Sequence, residues 1–119
     1  MFMRLIPRKI KNKKRGFSIE IAKQRVKGVG PSLTYIEGIR SVGIYCERLV
    51  KGPFDLNITL GCTDHWEQPF DFETITNDDW KRIGENIEDA YKSKRIKVKM
   101  DWMSPSEFKA MMSSVPKIK

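Results

Sequence analysis

The sequence predicts an α+β domain, a single compact unit with a mainly antiparallel central sheet and two or three flanking helices. Three observations carry this. Apolar and polar residues alternate at Phe17, Ile19, Ile21 and again at Phe54, Leu56, Ile58, Leu60, the period of half-buried strands. Trp80, Ile83, Ile87 and Tyr91 recur at helical spacing. A chain of 119 residues has room for one core, and 39% hydrophobic against 32% charged residues places it on the folded side of the disorder boundary. The domain is expected over residues 16–119, preceded by a flexible basic arm over 1–15.

The arm contains Arg8, Lys9, Lys11, Lys13, Lys14 and Arg15, six cations in eight positions whose mutual repulsion favours mobility. A strand then follows from Phe17. After Ala22 the cations Lys23, Arg25 and Lys27 take over its apolar parity, so the strand is expected to leave the core and extend its charges into solvent until the turn at Gly28, Val29, Gly30 and Pro31.

Over residues 32–50, Leu33, Ile36, Ile39, Gly43, Cys46 and Leu49 follow helical spacing, and a helix is expected there. Gly38 and Gly43 would each cost it about 1 kcal/mol, a cost offset if small residues let it lie close against a sheet. Lys51, Gly52 and Pro53 stop it, and the alternating strand from Phe54 to Leu60 ends at Gly61.

Residues 62–73 hold His65, Trp66, Pro69, Phe70 and Phe72 without steady period and read as a connector laying aromatics over the core. The helix over 74–91 takes Thr76 or Asn77 as its cap, with Asp78 and Asp79 in the first turn, where its dipole favours anions. Ile96, Val98, Met100 and Trp102 alternate with Arg95, Lys97, Lys99 and Asp101 as a strand with a cationic outer face. Ser104, Pro105 and Glu107 form a capping box that opens a short last helix through Phe108, Met111 and Met112. The tail from Val115 is expected to fray.

Charge is unevenly distributed. The net charge is +8; residues 1–30 carry ten Lys/Arg against Glu20, whereas residues 64–89 carry nine acids against Lys81 and Arg82. Such polarity favours an anionic partner at one end and permits weak head-to-tail self-association. Two surfaces are candidates for an anion, nucleic acid or a membrane. One is the arm with Lys23, Arg25 and Lys27; the other is Lys92, Lys94, Arg95, Lys97 and Lys99. If the strands bearing them are neighbours, they merge. Aromatics do not interleave with these cations, which argues against base stacking and for contact with backbone phosphates or headgroups. The arm also fits a nuclear-localisation cluster or a solubilising tether.

Catalytic patterns are not evident. His65 stands alone without a serine or cysteine nucleophile motif, no two acids are singled out by spacing, and no phosphate-binding glycine loop follows a strand. Cys46 and Cys62 lack metal-ligand or redox spacing, so neither metal nor cofactor is expected and a reducing, intracellular location is. No uncharged apolar run reaches membrane-spanning length, and residues 1–6 lack a signal-peptide pattern. The chain is read as non-enzymatic.

The stretch over residues 17–61 is similar in element order to the core of rhabdovirus matrix proteins: a basic-tailed strand, a Tyr-containing helix with small residues, then Lys51, Gly52, Pro53 and Phe54 entering an alternating strand. A helix and strand over 77–91 and 95–102 complete the likeness. The resemblance implies a small viral matrix-like accessory or structural protein that binds anionic surfaces through its arm and host or viral proteins through its body. No Pro-Pro-x-Tyr budding motif is present. The alternative is a small, sequence-independent nucleic-acid-binding protein, for example a phage-encoded decoy against a host defence complex.

Overall fold

Strand-forming residues on either side of tight turns build most of the chain into a meander. The structure, a computed structural model, describes residues 6–21 and 32–114. In chain order it contains β1 (Lys9–Asn12), β2 (Phe17–Ile21), β3 (Ser32–Glu37), β4 (Arg40–Arg48), β5 (Leu56–Leu60), α1 (Asn77–Ser93), β6 (Val98–Trp102) and α2 (Pro105–Ser114). All six strands form one sheet in the order β1-β2-β3-β4-β5-β6. The first four pairings are antiparallel, and β5 and β6 are parallel because α1 carries the chain back across the sheet between them. The expected α+β class, with a mainly antiparallel sheet and two helices, is the one observed.

Alternation along the strands sends Ile10, Phe17, Ile19, Leu33, Tyr35, Val42, Ile44, Cys46, Leu56 and Ile58 to one buried face. Trp80, Ile83, Ile87, Ala90 and Tyr91 of α1 close over that face in a single core. Each valine, leucine, isoleucine or phenylalanine among them contributes on the order of 1.5–3 kcal/mol by leaving water. The reciprocal cap of α1 forms at Thr76: the Asp79 N–H donates to Thr76 Oγ1 at 3.1 Å and the Thr76 N–H donates to Asp79 Oδ2 at 2.9 Å. The second box forms likewise between Ser104 and Glu107, both bonds 3.2 Å. Tyr45 alternates with the core-facing Ile44 and Cys46, so it lies on the opposite sheet face. There Phe108 of α2 meets it edge-on at 5.8 Å between centroids, placing the last helix on that second face.

Three expectations are corrected. Residues 32–50 form the β3–β4 hairpin, not a helix. Leu33 and Tyr35, then Val42, Ile44 and Cys46, are buried at period two on each side of a turn where Gly38 has φ 63°. Of the residues at helical spacing only Leu33 and Cys46 belong to that buried alternation, and the many β-branched and aromatic residues of the segment favour a pleated surface. Ile39, placed in a buried stripe by the helical reading, is 76% exposed at the turn.

The basic run after Pro7 is not a loose arm within the described residues. Lys9–Asn12 pairs with β2, and Ile6 and Ile10 belong to the core. Apolar residues at 6 and 10 anchor it despite the charges around them.

Finally, of the connector aromatics, Trp66 is buried and Phe70 packs against the core, whereas Phe72 is 79% exposed. The Arg40 guanidinium lies 4.7 Å from the Phe70 ring centroid and pairs with both carboxylate oxygens of Glu73, fastening the connector to β4. Residues 1–5 of the arm, Lys23, Arg25 and Lys27, and the tail from Val115 lie outside the described residues.

Candidate anion-binding cleft

The β1–β2 turn and the last turns of α1 approach each other, and the space between them is a cleft of about 620 Å³. Lys9, Ile10, Lys11, Asn12 and Arg15 line one side. Asp89, Ala90, Lys92, Ser93 and Lys94 line the other. Ile10 and Ala90 give it an apolar floor, being 7% and 6% exposed. Among the described residues its lining thus holds five cations and one acid.

Hydrogen bonds hold the two walls together. Arg15 Nη1 donates to Asp89 Oδ2 at 2.9 Å and to Asn86 Oδ1 at 3.2 Å. Asn86 is buried in α1, and its Nδ2 donates to Tyr35 Oη at 2.9 Å. The Tyr35 hydroxyl donates in turn to Glu37 Oε2 at 2.6 Å. Arg82 then donates to both Glu37 oxygens, at 3.1 and 2.7 Å, and to Asp79 Oδ1 at 2.9 Å. A continuous polar chain thus runs from the cleft through the core to the cap of α1.

Burial raises the Tyr35 hydroxyl well above the ordinary tyrosine range, helped by its bond to Glu37, so it stays protonated as a donor. Burial alone would raise the Glu37 carboxyl, but the bonds from Arg82 and Tyr35 outweigh it and hold it below the usual carboxylate range. Asp79 is likewise lowered: burial pushes it up, and the bonds from Thr76 and Arg82 more than reverse this.

Of the cations singled out from sequence, Lys9, Lys11, Arg15 and Lys94 converge on the cleft, together with Lys92. Arg8 precedes β1 and gives its carbonyl to the Ile21 N–H at 2.9 Å. Lys13 and Lys14 are exposed in the β1–β2 turn, outside the cleft lining. Arg95 follows α1 in a left-handed conformation, φ 60°. Lys97 and Lys99 lie at the β6 edge, five strand spacings or roughly 24 Å across the sheet from β1. β2 and β6 are separated by three strands, and Lys23, Arg25 and Lys27, on which the expected merger turned, lie outside the described residues. What joins the two sequence clusters instead is α1, whose basic C-terminal turn returns to the β1 edge.

The acids of α1 neutralise only part of this surface. Among the described residues Arg15 is paired with Asp89, while Lys9, Lys11, Lys92 and Lys94 form no ion pair. The cleft lies at the C-terminal end of α1, where the dipole repels anions and favours lysines. Any attraction for an anion comes from the side chains.

His65 is exposed, with Nδ1 2.9 Å from Asp64 Oδ1, in a second hollow also lined by Thr63, Glu67 and Asp71. Among the described residues no group of three or more His, Cys, Asp or Glu side chains is placed to hold a metal ion. Cys46 and Cys62 are free thiols, and burial pushes Cys46 up to about 12. Among the described residues no helix is long and apolar enough to cross a membrane.

Comparison with family models, with curated proteins and with solved structures gives no match to this chain. Sequence reasoning missed Asn12 and Ser93 in the cleft lining and the roles of Asn86 and Tyr35 behind it. The one available signal was Asn86, a polar residue between Ile83 and Ile87 on the apolar side of a helix.

Proposed function

We propose that the protein acts by binding, not catalysis, and that the cleft between β1 and the end of α1 docks an anionic macromolecule. The convergence of Lys9, Lys11, Arg15, Lys92 and Lys94 from two distant sequence segments around one cavity carries the proposal. Among the described residues only Asp89 opposes them there, and it is already engaged by Arg15. Lysines held on a strand and a helix end, not on a loose tether, present their charge in a fixed arrangement, which favours shape-matched partners over diffuse attraction. The matrix-like accessory role was expected partly from a helix over residues 32–50; with a hairpin in that place, the cleft alone supports this proposal.

The test is a titration of the intact chain with three labelled polyanions: a nucleic-acid duplex, vesicles containing phosphatidylserine, and polyglutamate. At least one should bind, and its affinity should fall steeply between about 50 and 200 mM salt, by on the order of 100-fold for four neutralised charges on a duplex. Failure of all three to bind at the lower salt overturns the proposal.

A further inference from the structure

Building on the anionic-partner reading, we infer that the occupant of the cleft is an acidic protein segment in extended conformation, added as a seventh strand along the outer edge of β1. The main chain supplies the argument. In the β1–β2 pair, Lys9 stands opposite Glu20, Ile10 opposite Ile19, Lys11 opposite Ser18 and Asn12 opposite Phe17. The Ile21 N–H donates to the Arg8 carbonyl and the Gly16 N–H donates to the Asn12 carbonyl, both at 2.9 Å. Hydrogen-bonding direction alternates along an antiparallel strand, so Arg8, Ile10 and Asn12 direct their peptide groups inward to β2. Lys9 and Lys11 direct theirs outward.

Among the described residues no strand pairs with that outer edge, because β1 is the first strand in the sheet order. Two N–H donors and two carbonyl acceptors are thereby offered beside the cleft. A strand added there gains main-chain bonds and pocketed side chains together, the usual mode of sheet augmentation.

Charge then selects the incoming segment. Lys9 and Lys11 rise from one side of the new strand position, and Lys92 and Lys94 stand across the cleft. An extended segment alternating acidic with apolar residues would direct carboxylates to Lys9 and Lys11, which alternate with the core-facing Ile10, and apolar groups toward Ile10 and Ala90. A phosphate backbone answers the same lysines, but it has no donor for the outward carbonyls and no apolar group for the floor. The observations therefore favour polypeptide over nucleic acid.

The experiment uses the intact chain and a fluorescent peptide of about eight residues alternating Glu and Val, long enough to cover β1 at about 3.3 Å per residue. A second peptide of identical charge has alternate amides N-methylated, which removes the main-chain donors on one edge and leaves the carboxylates. Both registers of methylation are made. The expected result is that the parent peptide binds, that one methylated register binds at least about tenfold more weakly, and that the Lys9 and Lys11 amides exchange with solvent about tenfold more slowly in the complex. The inference is overturned if both methylated peptides bind as well as the parent. It is also overturned if a duplex of equal charge binds more tightly with no protection of those amides, or if sedimentation shows a second copy holding the cleft against the peptide. Where a methylated peptide or the duplex binds, an anion is still held and the broader reading stands; absence of binding by every polyanion removes both.

Discussion

Asn86 donates from Nδ2 to the hydroxyl of Tyr35 at 2.9 Å inside the core, while its Oδ1 accepts from Arg15 at the rim of the cleft. One amide thus satisfies a buried phenol and orients a surface cation. Replacing it should be felt at both ends. Asn86→Ala is expected to cost about 1–2 kcal/mol, the range for orphaning a buried partner less the gain in helix propensity. Urea denaturation measures it, and a cycle with Tyr35→Phe should show coupling of about 0.5–1.5 kcal/mol.

Acid lability follows from Glu37. Its folded-state pKa lies below the ordinary value of 4.5, so the folded form resists protonation. The stability this contributes is complete above the unfolded value and is lost as pH falls through the folded one. Wild type should therefore exceed Glu37→Gln in stability at neutral pH, and the gap should narrow steadily below pH 4.5. Chemical denaturation across that window gives the answer, and a gap that widens on acidification would count against the Arg82–Glu37–Tyr35 arrangement.

Two glycine substitutions distinguish the hairpin from a helix over 32–50. Gly38 has φ 63°, so Gly38→Ala should destabilise by about 1–2 kcal/mol. Gly43 lies within β4 with a negative φ, and a Cβ there would meet nothing within 4 Å. Gly43→Ala should be neutral or stabilise by about 0.5–1 kcal/mol. In a helix both changes would stabilise.

Gly61 should be the least replaceable glycine described. Its φ is 86°, and a Cβ would sit 2.9 Å from the Met103 carbonyl and from two ring carbons of Trp102. Gly61→Ala is expected to cost about 2–4 kcal/mol by strain and overpacking together. A thermal or urea midpoint indistinguishable from wild type would contradict the packing of β6 described above.

Much of this fold could be read from local pattern. Strict alternation in β2 and β5, the cap at Thr76, the stripe of α1 and the box at Ser104 each rest on residues close in sequence, where period and capping chemistry decide the outcome. The β3–β4 hairpin escaped because Leu33, Ile36, Ile39, Gly43 and Cys46 stand three or four residues apart, while the true alternation of Leu33 and Tyr35 with Val42, Ile44 and Cys46 changes phase at the Gly38 turn. The strand at Lys9–Asn12 escaped for a different reason. Its charges suggested repulsion, whereas burial of Ile6 and Ile10 is a tertiary effect.

The cleft was half legible. Its cations stood out by composition, but their grouping depends on α1 returning its basic end to the β1 edge. Sequence adjacency put Lys94 with Lys97 and Lys99, while the fold puts it with Lys9 and Lys11.

The most direct test of the cleft compares two charge reversals of equal size in binding to labelled polyglutamate at about 0.1 M salt. Lys9→Glu/Lys94→Glu alters the cleft; Lys97→Glu/Lys99→Glu alters the far edge of the sheet by the same net charge. The cleft pair is expected to lose at least about tenfold in affinity and the edge pair no more than about twofold, since separation beyond about 10 Å is screened at moderate salt. Equal losses, or a larger loss for the β6 pair, would contradict docking in the cleft.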